Sequence, residues 1–479
     1  MSTIISGATV IDGVAEGPTE GRSIWIEGGR IKAIARPDQL EVPPGSRIVD
    51  ARGKYVIAGL MNANVHLLID VRLENLVRYM DRFEDLIVEA AQVALKNGLT
   101  TVFDTWGPRR FLRKAAERID RGEMPGSRIF CAGNIVGLDG PYSKDFSGKT
   151  LEVASQALVD RINPMWAENV GARLTRMTSD QVAEEVRAYL ARGVDFIKFA
   201  SSEHRTGETS AFLAFSPYAQ AAIVREAHGA GLTAQSHASS VEAIRVSIDV
   251  GCDLIQHVNM TGPVPIPEAT LELLAKRKTG AVVFPFTQRR WEWLMENASE
   301  ASRRPWQASD TNARNLIRSG ATLLLANDGG IYAPEAISDA ARGKSWMTPG
   351  EDCLIDLGTG HFAWFKAMEE KGCPPLEMLR AATRNIAVAY GKDKDLGTLE
   401  PGKVADMIVL DKNPLESSAN YRSIHMILKD GAIVDRDALP INPILTRSME
   451  PTAGMEAACV ASQDTFPPCP TCLRFEHVP

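Results

Sequence analysis

The 479-residue sequence contains no run of about 20 apolar residues, the length that a helix needs to cross a membrane. An excess of basic residues is also absent, because 53 Lys and Arg stand against 60 Asp and Glu and give a formal net charge of −7 at pH 7. Proteins that bind nucleic acids or anionic membranes usually carry a strongly basic surface. The composition therefore argues against both as partners.

Residues 1–7 lack the basic region and apolar run of a secretory signal, so no leader is expected there. Five of the seven cysteines are scattered along the chain, which is typical of a protein that is kept reduced. The other two, Cys469 and Cys472, form a Cys-x-x-Cys pair in a proline-rich end segment, and such a pair alone is a weak metal signal. The sequence therefore predicts a cytoplasmic protein.

Short apolar runs typical of strands occur near both ends of the chain. Two of them lie at residues 3–12 and 23–34, and the second contains the Gly28-Gly29 dipeptide, which favours a hairpin turn. Similar runs return at residues 405–410 and 425–434. We therefore predict a small β-sandwich domain built from residues 1–56 and 396–440, followed by an extended tail over residues 441–479.

Between these ends, strand-like runs alternate with amphipathic helical patterns, which is the signal for βα units and a parallel sheet. The length of this region, residues 57–395, suits a (β/α)8 barrel of the TIM type. Its predicted strands lie at residues 100–104, 196–200, 233–237, 254–257, 281–284 and 322–328. The predicted fold class is thus α/β, a TIM barrel with a β-sandwich domain contributed by both flanks.

Polar residues stand at or near the ends of several predicted barrel strands, the face where barrel enzymes build their sites. Imidazole nitrogen and carboxylate oxygen are both metal ligands, and a carboxylate can also take a proton from water. A lysine ammonium has no lone pair to offer, but lysine carboxylated by carbon dioxide becomes a carbamate that can bind metals. The candidate ligands in chain order are His66, Lys198, His237, His257 and Asp328.

Several motifs of the chain resemble those of the metal-dependent amidohydrolase superfamily, in its imidazolonepropionase- and prolidase-like branch. The resemblance covers about residue 3 to residue 434 and rests on the segments AGLMNANVH (58–66), GLTTVFD (98–104), GVDFIK (193–198), AHGAGLTAQSH (227–237), IQH (255–257), LAND (325–328), AATRN (381–385) and LEPGKVAD (399–406). It implies a carbamate at Lys198, metal ligands at His237 and His257, and the acidic residue of the eighth barrel strand at Asp328.

One position departs from the superfamily signature, in which two histidines separated by one residue grip a metal from the same side of a strand. Here Asn64 stands at the first position and His66 at the second. An amide oxygen is a weaker zinc ligand than an imidazole nitrogen, so the exchange suggests a two-metal site reduced to one. The Asn-x-His pattern resembles a subgroup that includes the phenylurea hydrolases and molinate hydrolase, which act on N-aryl ureas and a thiocarbamate.

The sequence also offers candidates for contact with a substrate. His204 lies on a predicted loop just after the strand that contains Lys198, and His361 begins a predicted helix, while Trp106, Phe284 and Phe286 lie in segments that follow strands. Such segments roof the site of a barrel, so the three aromatic residues are candidates for an apolar pocket around a ring. A structural reading, in which they form the core of large loops, stays open, and so does that of a solvated loop for His204.

The combined interpretation is a metal-dependent hydrolase that uses activated water on a urea, carbamate or amide carbonyl, with an N-aryl urea as the preferred substrate. The metal set is Asn64, His66, Lys198, His237, His257 and Asp328, of which Lys198, His257 and Asp328 are also the catalytic candidates. One divalent transition metal per chain is expected, zinc first, with Co²⁺, Mn²⁺ or Fe²⁺ as alternatives. Alternative functions are a thiocarbamate hydrolase, an Xaa-Pro dipeptidase, an imidazolonepropionase-like enzyme and a non-catalytic binding barrel. We also expect a homo-oligomer.

Overall fold

A computed structural model describes residues 2–68, 74–146, 152, 154–203, 211–333 and 352–447 of the chain. His204 and the Cys469–Cys472 pair lie outside these residues, and so does the predicted tail from residue 448 onward. In the described part of the chain, no helix has the length and apolar character that a membrane crossing requires.

The strands of the described residues, in chain order, are β1 (Ser2–Ile11), β2 (Thr19–Glu27), β3 (Arg30–Ala35), β4 (Arg47–Asp50), β5 (Tyr55–Ala58), β6 (Leu60–Val65), β7 (Leu99–Asp104), β8 (Arg128–Cys131), β9 (Ile135–Val136), β10 (Ile197–Ala200), β11 (Ala234–His237), β12 (Leu254–Gln256), β13 (Gly280–Val283), β14 (Leu323–Leu325), β15 (Met407–Leu410), β16 (Ile424–Lys429) and β17 (Ala432–Ile433).

The α-helices are α1 (Glu74–Arg78), α2 (Phe83–Lys96), α3 (Arg109–Asp120), α4 (Gln156–Ala167), α5 (Ser179–Leu190), α6 (Pro217–Gly229), α7 (Val241–Asp249), α8 (Glu268–Arg277), α9 (Gln288–Asn297), α10 (Glu300–Arg318), α11 (Gly360–Glu370), α12 (Pro375–Ala381) and α13 (Arg384–Ala389). Short 3₁₀ helices cover Pro37–Gln39, Ala172–Arg176 and Ser418–Arg422.

Strands from both ends of the chain form one sheet, in the order β17-β16-β15-β5-β1-β2-β3, with β4 paired to β1. The hairpin between β2 and β3 turns through Gly28 and Gly29, whose φ angles of 59° and 76° lie in the left-handed region that glycine adopts without a Cβ clash. Alternate apolar residues of these strands pack on one face, among them Ile5, Ile24 and Val409. The predicted pairing of the two flanks is therefore present in the structure.

The middle of the chain forms a parallel barrel. Strands β6, β7 and β8 make one sheet and β14 through β9 make another, and a parallel bridge between Val65 and Gly329 joins β6 to the end of the second sheet. The third barrel strand is split, because β8 pairs with β7 whereas β9, three residues further on, pairs with β10. Helices between consecutive strands place all carboxyl ends at the same face.

Barrel strands are buried on both sides, and all six residues of β6 and of β7 are buried. Within the barrel, the ring of Tyr390 stacks on Phe103 with centroids 3.8 Å apart and meets Phe196 edge-on at 4.9 Å. The three rings form a closely packed aromatic group beside the polar side chains of the barrel interior, since the Tyr390 hydroxyl lies 2.7 Å from the Ala63 carbonyl oxygen and 3.2 Å from Gln235 Oε1. The polar side chains described below are therefore held in a dry, tightly packed setting.

Candidate active site

His66 and Asp328 meet at the carboxyl face of the barrel, where their strands lie side by side. The His66 Nε2–H donates to Asp328 Oδ1 over 2.8 Å, and both side chains are almost completely buried. Two backbone bonds fix the pair, because the His66 N–H donates to Gly329 O and the Asp328 N–H donates to Asn64 O. The main chain thus sets the distance between the imidazole and the carboxylate.

Two more histidines complete what we name the strand-end cluster, which consists of His66, His237, His257 and Asp328. His257 Nε2 lies 3.8 Å from Asp328 Oδ2, the oxygen that does not bond His66. The ring centroids of His237 and His257 are 4.7 Å apart, with the planes at 69°. Residues far apart in the sequence therefore bring three imidazoles and one carboxylate to the same face.

The backbone is strained at two members of the cluster. His257 has a φ of 51° and Asp328 a φ of 49°, in the left-handed region that residues with a side chain rarely adopt. Strain of this kind costs on the order of 1–3 kcal/mol per residue and is concentrated at functional sites. His257 immediately follows β12 and Asp328 comes three residues after β14, so both residues lie in the turns that follow strands.

Burial and mutual charge set the protonation of the ionisable groups here. Burial alone would raise the pKa of Asp328, but His66, His257 and Lys198 together hold it below its ordinary range. Burial lowers the pKa of Lys198 to about 8, although the charges of Asp328 and Asp104 oppose the shift. Asp328 is therefore an ionised carboxylate at neutral pH, ready to accept a proton or to bind a cation.

Lys198 and Asn64 are both present near the cluster, but their side chains are engaged elsewhere in the barrel. Lys198 Nζ donates to Thr105 Oγ1 over 3.1 Å. The Asn64 carbonyl oxygen accepts the Thr105 hydroxyl, and its amide nitrogen donates to Gln256 Oε1 over 3.0 Å. Thr105 and Gln256 were not among the residues expected from the sequence.

Asp104 is a further buried residue that the sequence pattern did not single out, although it ends β7 as His237 ends β11. Its carboxylate accepts the backbone N–H of Leu67 at 2.7 Å and of Trp106 at 3.2 Å. Burial raises the pKa of Asp104 to about 6. The Asp104 carboxylate thereby stabilises the turn that follows His66. Its position at the end of a predicted strand is the sequence feature that could have identified it as a site residue.

The aromatic candidates differ in where they lie. Trp106 meets His66 edge-on at 6.0 Å and stacks on Phe146 at 3.7 Å, while its Nε1 donates to Asn134. Phe284 lies with its centroid 5.3 Å from that of His257. Trp106 thus lies next to His66 and Phe284 next to His257, and both are buried.

Phe286 and His361 lie in other surroundings. Phe286 packs on Trp306 with centroids 5.3 Å apart, in an apolar group beside Met260. His361 is fully buried on α11 and donates to the Asn97 carbonyl over 3.0 Å, just before β7 begins and therefore at the opposite end of that strand from Asp104. The structure does not place His361 in the strand-end cluster.

The donor atoms of the cluster suit a divalent transition metal. Three imidazoles and a carboxylate are the ligand types that zinc takes in enzymes, and His66 Nδ1 is a buried nitrogen with no hydrogen-bond partner among the described residues. Within that part of the chain, however, no three His, Cys, Asp or Glu residues are arranged as a formed metal-ligand set. The residue types of the cluster therefore fit a divalent transition metal.

Comparison with known proteins yields related hydrolases. The Amidohydrolase family matches residues 55–434. The structure of molinate hydrolase is 34% identical with a TM-score of 0.89, covering 94% of this chain and 98% of that one. Phenylurea hydrolase B is 35% identical with a TM-score of 0.89, covering 94% of this chain and 100% of that one.

A curated relative, the ochratoxinase of Aspergillus niger, is 26% identical over 333 residues, which are 67% of this chain. The chain spans only 62% of the length of that ochratoxinase. The two solved hydrolases are matched over almost their whole length, so they are the more informative relatives for the site.

Proposed function

Since the chain belongs to the amidohydrolase family, we propose that it hydrolyses a urea or carbamate carbonyl with the aid of one divalent metal, and that N-aryl ureas are its preferred substrates. The observation that carries the proposal is the meeting of His66 and His257 with the two oxygens of Asp328 at the carboxyl face of the barrel. Catalytic groups of barrel enzymes lie at this face.

The strand-end cluster has the residues to hold the metal, with zinc as the first expectation. When bound, such a metal polarises a carbonyl oxygen and makes water a better nucleophile at neutral pH. The three imidazoles supply neutral nitrogen donors, and Asp328 supplies negative charge that offsets the cation. Lys198 lies close enough to Asp328 for their charges to interact, and its carbamate form stays part of the proposal.

Asp328 is the group that moves the proton. Its carboxylate accepts a proton from the attacking water as the oxygen–carbon bond forms, and it returns that proton to the nitrogen as the carbon–nitrogen bond breaks. For an N-aryl urea the products are an aniline and a carbamic acid. The buried pair with His66 keeps the carboxylate oriented through both transfers.

An aryl group on the leaving nitrogen fits both the chemistry and the surroundings. A urea carbonyl is a poor electrophile because both nitrogens donate into it, and an arylamine leaves more readily because its lone pair is delocalised into the ring. Trp106 and Phe284 border the cluster and offer apolar faces to such a ring. The similarity to phenylurea hydrolase B supports this substrate class.

A thiocarbamate is the second candidate substrate, and the matching similarity to molinate hydrolase favours it. The same carboxylate and the same metal-holding residues can act on the carbonyl of a urea or of a thiocarbamate. The cluster alone therefore does not distinguish the two substrate classes. The test incubates purified, zinc-supplemented enzyme separately with N-aryl ureas and with molinate. Chromatography then measures which of the two substrate classes gives products.

The role of Asp328 is tested by the variant Asp328→Asn, with Asp253→Asn as the matched control. Both replace a carboxylate by an amide of the same shape, but Asp253 bonds His228 and the backbone of Ala234 away from the cluster. We expect aniline release from the wild type and from Asp253→Asn, and a loss of at least about a hundredfold in Asp328→Asn. Equal rates in the two variants would remove Asp328 from the mechanism.

A further inference from the structure

The hydroxyl of Thr105 connects Lys198 and Asn64, two buried residues whose roles the proposed function does not define. Lys198 Nζ lies 3.1 Å from Thr105 Oγ1, and Thr105 Oγ1 in turn bonds Asn64 Oδ1. An ammonium group only donates, so the hydroxyl accepts from Lys198 and must send its single proton to the amide oxygen. The direction of both bonds is therefore fixed by the donor inventory.

The same direction continues into the barrel. Asn64 Nδ2 donates to Gln256 Oε1 over 3.0 Å, and Gln256 Nε2 donates to Gln235 Oε1 and, over 3.3 Å, to the Ala63 carbonyl. We name Lys198, Thr105, Asn64, Gln256 and Gln235 the interior chain; all five are buried. Turning the Asn64 amide over would set two carbonyl oxygens against each other and leave the Thr105 proton without its acceptor, a cost of about 1–3 kcal/mol for each unsatisfied buried group.

The interior chain runs directly beneath the strand-end cluster. Asn64 and Gln235 stand two residues before His66 and His237 on their strands, and Gln256 stands immediately before His257. Residues two apart on a strand project to the same side, so the Asn64 and Gln235 amides lie one layer below the imidazoles of His66 and His237, whereas Gln256 is joined to His257 directly through the backbone. Displacement of an amide in this layer is thereby transmitted to the imidazole above it.

From this geometry, and on the basis of the proposed function, we infer that Thr105 is a positioning residue that couples Lys198 to Asn64, and that Asn64 acts through this coupling rather than as a metal ligand. Both polar atoms of the Asn64 amide are already bonded within the interior chain. Asn64, which stands where the superfamily signature has a histidine, thus supports Lys198 through hydrogen bonds by way of Thr105.

The first test compares two variants, Thr105→Val and Thr100→Val, each of which removes one buried hydroxyl at or near β7. Thr105→Val keeps the shape and loses the bonds to Lys198 and Asn64, whereas Thr100→Val loses only a 3.4 Å bond to the Leu60 carbonyl. We expect kcat for the best substrate to fall about tenfold to a hundredfold in Thr105→Val, with KM within about twofold, because one bond to a charged group is lost. Thr100→Val stays near the wild type.

Thr105→Ser separates the hydroxyl from the packing of the methyl group. Because serine keeps the hydroxyl, we expect this variant to recover most of the lost kcat. Thr105→Ser as slow as Thr105→Val, or Thr105→Val as fast as Thr100→Val, would overturn the positioning role.

A metal-affinity measurement tests Asn64 without any substrate. Zinc dissociation constants, obtained by competition with a chelating dye, are compared for the wild type, Asn64→Ala and His66→Ala. We expect Asn64→Ala to stay within about threefold of the wild type and His66→Ala to weaken binding by about a hundredfold or more. Comparable losses in both variants would make Asn64 a ligand and contradict the inference.

The coupling itself is measured in the metal-free full chain. If Thr105 and Asn64 belong to one chain of bonds, the fall in melting temperature of the double variant Thr105→Val/Asn64→Ala is smaller than the two single falls combined. Additive falls would overturn the coupling.

Absence of turnover in the wild type would contradict the proposed function, while the zinc-affinity and melting measurements would still test the inference.

Discussion

Replacing His361 by glutamine should make the protein more resistant to mild acid. The imidazole is fully buried on α11, donates to the Asn97 carbonyl and lies near the charge of Arg422. Burial is the largest of the effects that lower its pKa from 6.5 to about 3. In the folded protein the ring therefore stays neutral at pH values where the unfolded chain binds a proton.

The sign of the pH effect follows from which state binds more protons. Below the unfolded pKa of 6.5 the unfolded chain takes up a proton that the native state refuses, so stability is complete above that pH and is lost as the pH falls toward 3. At about pH 5 the unfolded pKa is about 1.5 units away, which corresponds to about 2 kcal/mol lost relative to about pH 8. Glutamine can keep an N–H for Asn97 and does not titrate.

The assay is urea-induced unfolding, followed by tryptophan fluorescence at about pH 8 and about pH 5. We expect the wild type to lose about 2 kcal/mol more than His361→Gln between the two conditions. His425→Gln serves as the matched control, because that side chain on β16 is partly exposed. Identical pH dependence of the wild type and His361→Gln would refute the reasoning.

Three further predictions concern Lys198, the metal and the junction between sheet and barrel. Lys198→Arg should lower kcat at least about a hundredfold, because a guanidinium cannot form a carbamate and is larger than the buried lysine group that it replaces; near wild-type kinetics would contradict this. Elemental analysis after dialysis should find about one transition metal per chain, and a chelator should abolish turnover that added zinc restores; two metals at full occupancy would oppose a single site. Arg128→Met should reduce the free energy of unfolding in urea titrations by about 3 kcal/mol, because it leaves the buried carboxylate of Asp406 without its cation; an unchanged midpoint would show that the pair contributes little.

Much of the barrel was predictable because hydrophobic periodicity and strand-end chemistry are local signals. The predicted strands at residues 100–104, 196–200 and 233–237 each agree with the structure to within one residue. The predicted fold class, family and resemblance to phenylurea and molinate hydrolases are confirmed by the comparisons. Residue type and strand position, together with the family signature, brought His66, His237 and His257 into the candidate set.

The strand that leads to Asp328 shows where local signals end. The predicted run reached residue 328, whereas β14 ends at Leu325 and Asp328 adopts a left-handed backbone. Such a conformation is imposed by long-range bonds, here between the Asp328 N–H and the Asn64 carbonyl. A pattern read along one segment contains no information about a partner 264 positions away.

Asn64 and His361 illustrate the second limit, which is the direction of a side chain. The sequence identified Asn64 as unusual, but its bonds to Thr105 and Gln256 depend on three strands that meet only in the folded barrel. His361 begins a helix, as its sequence context indicated, yet its ring points to Asn97. Metal content, oligomeric state and cellular location stay predictions.

The central claim is hydrolysis of an N-aryl urea or carbamate, and the ratio of kcat/KM for an N-aryl urea to that for an Xaa-Pro dipeptide tests it most directly. With zinc-supplemented full-length enzyme we expect aniline release from the urea at a kcat/KM well above that for the dipeptide. Dipeptide cleavage that is orders of magnitude more efficient than turnover of any aryl urea or carbamate would contradict the account.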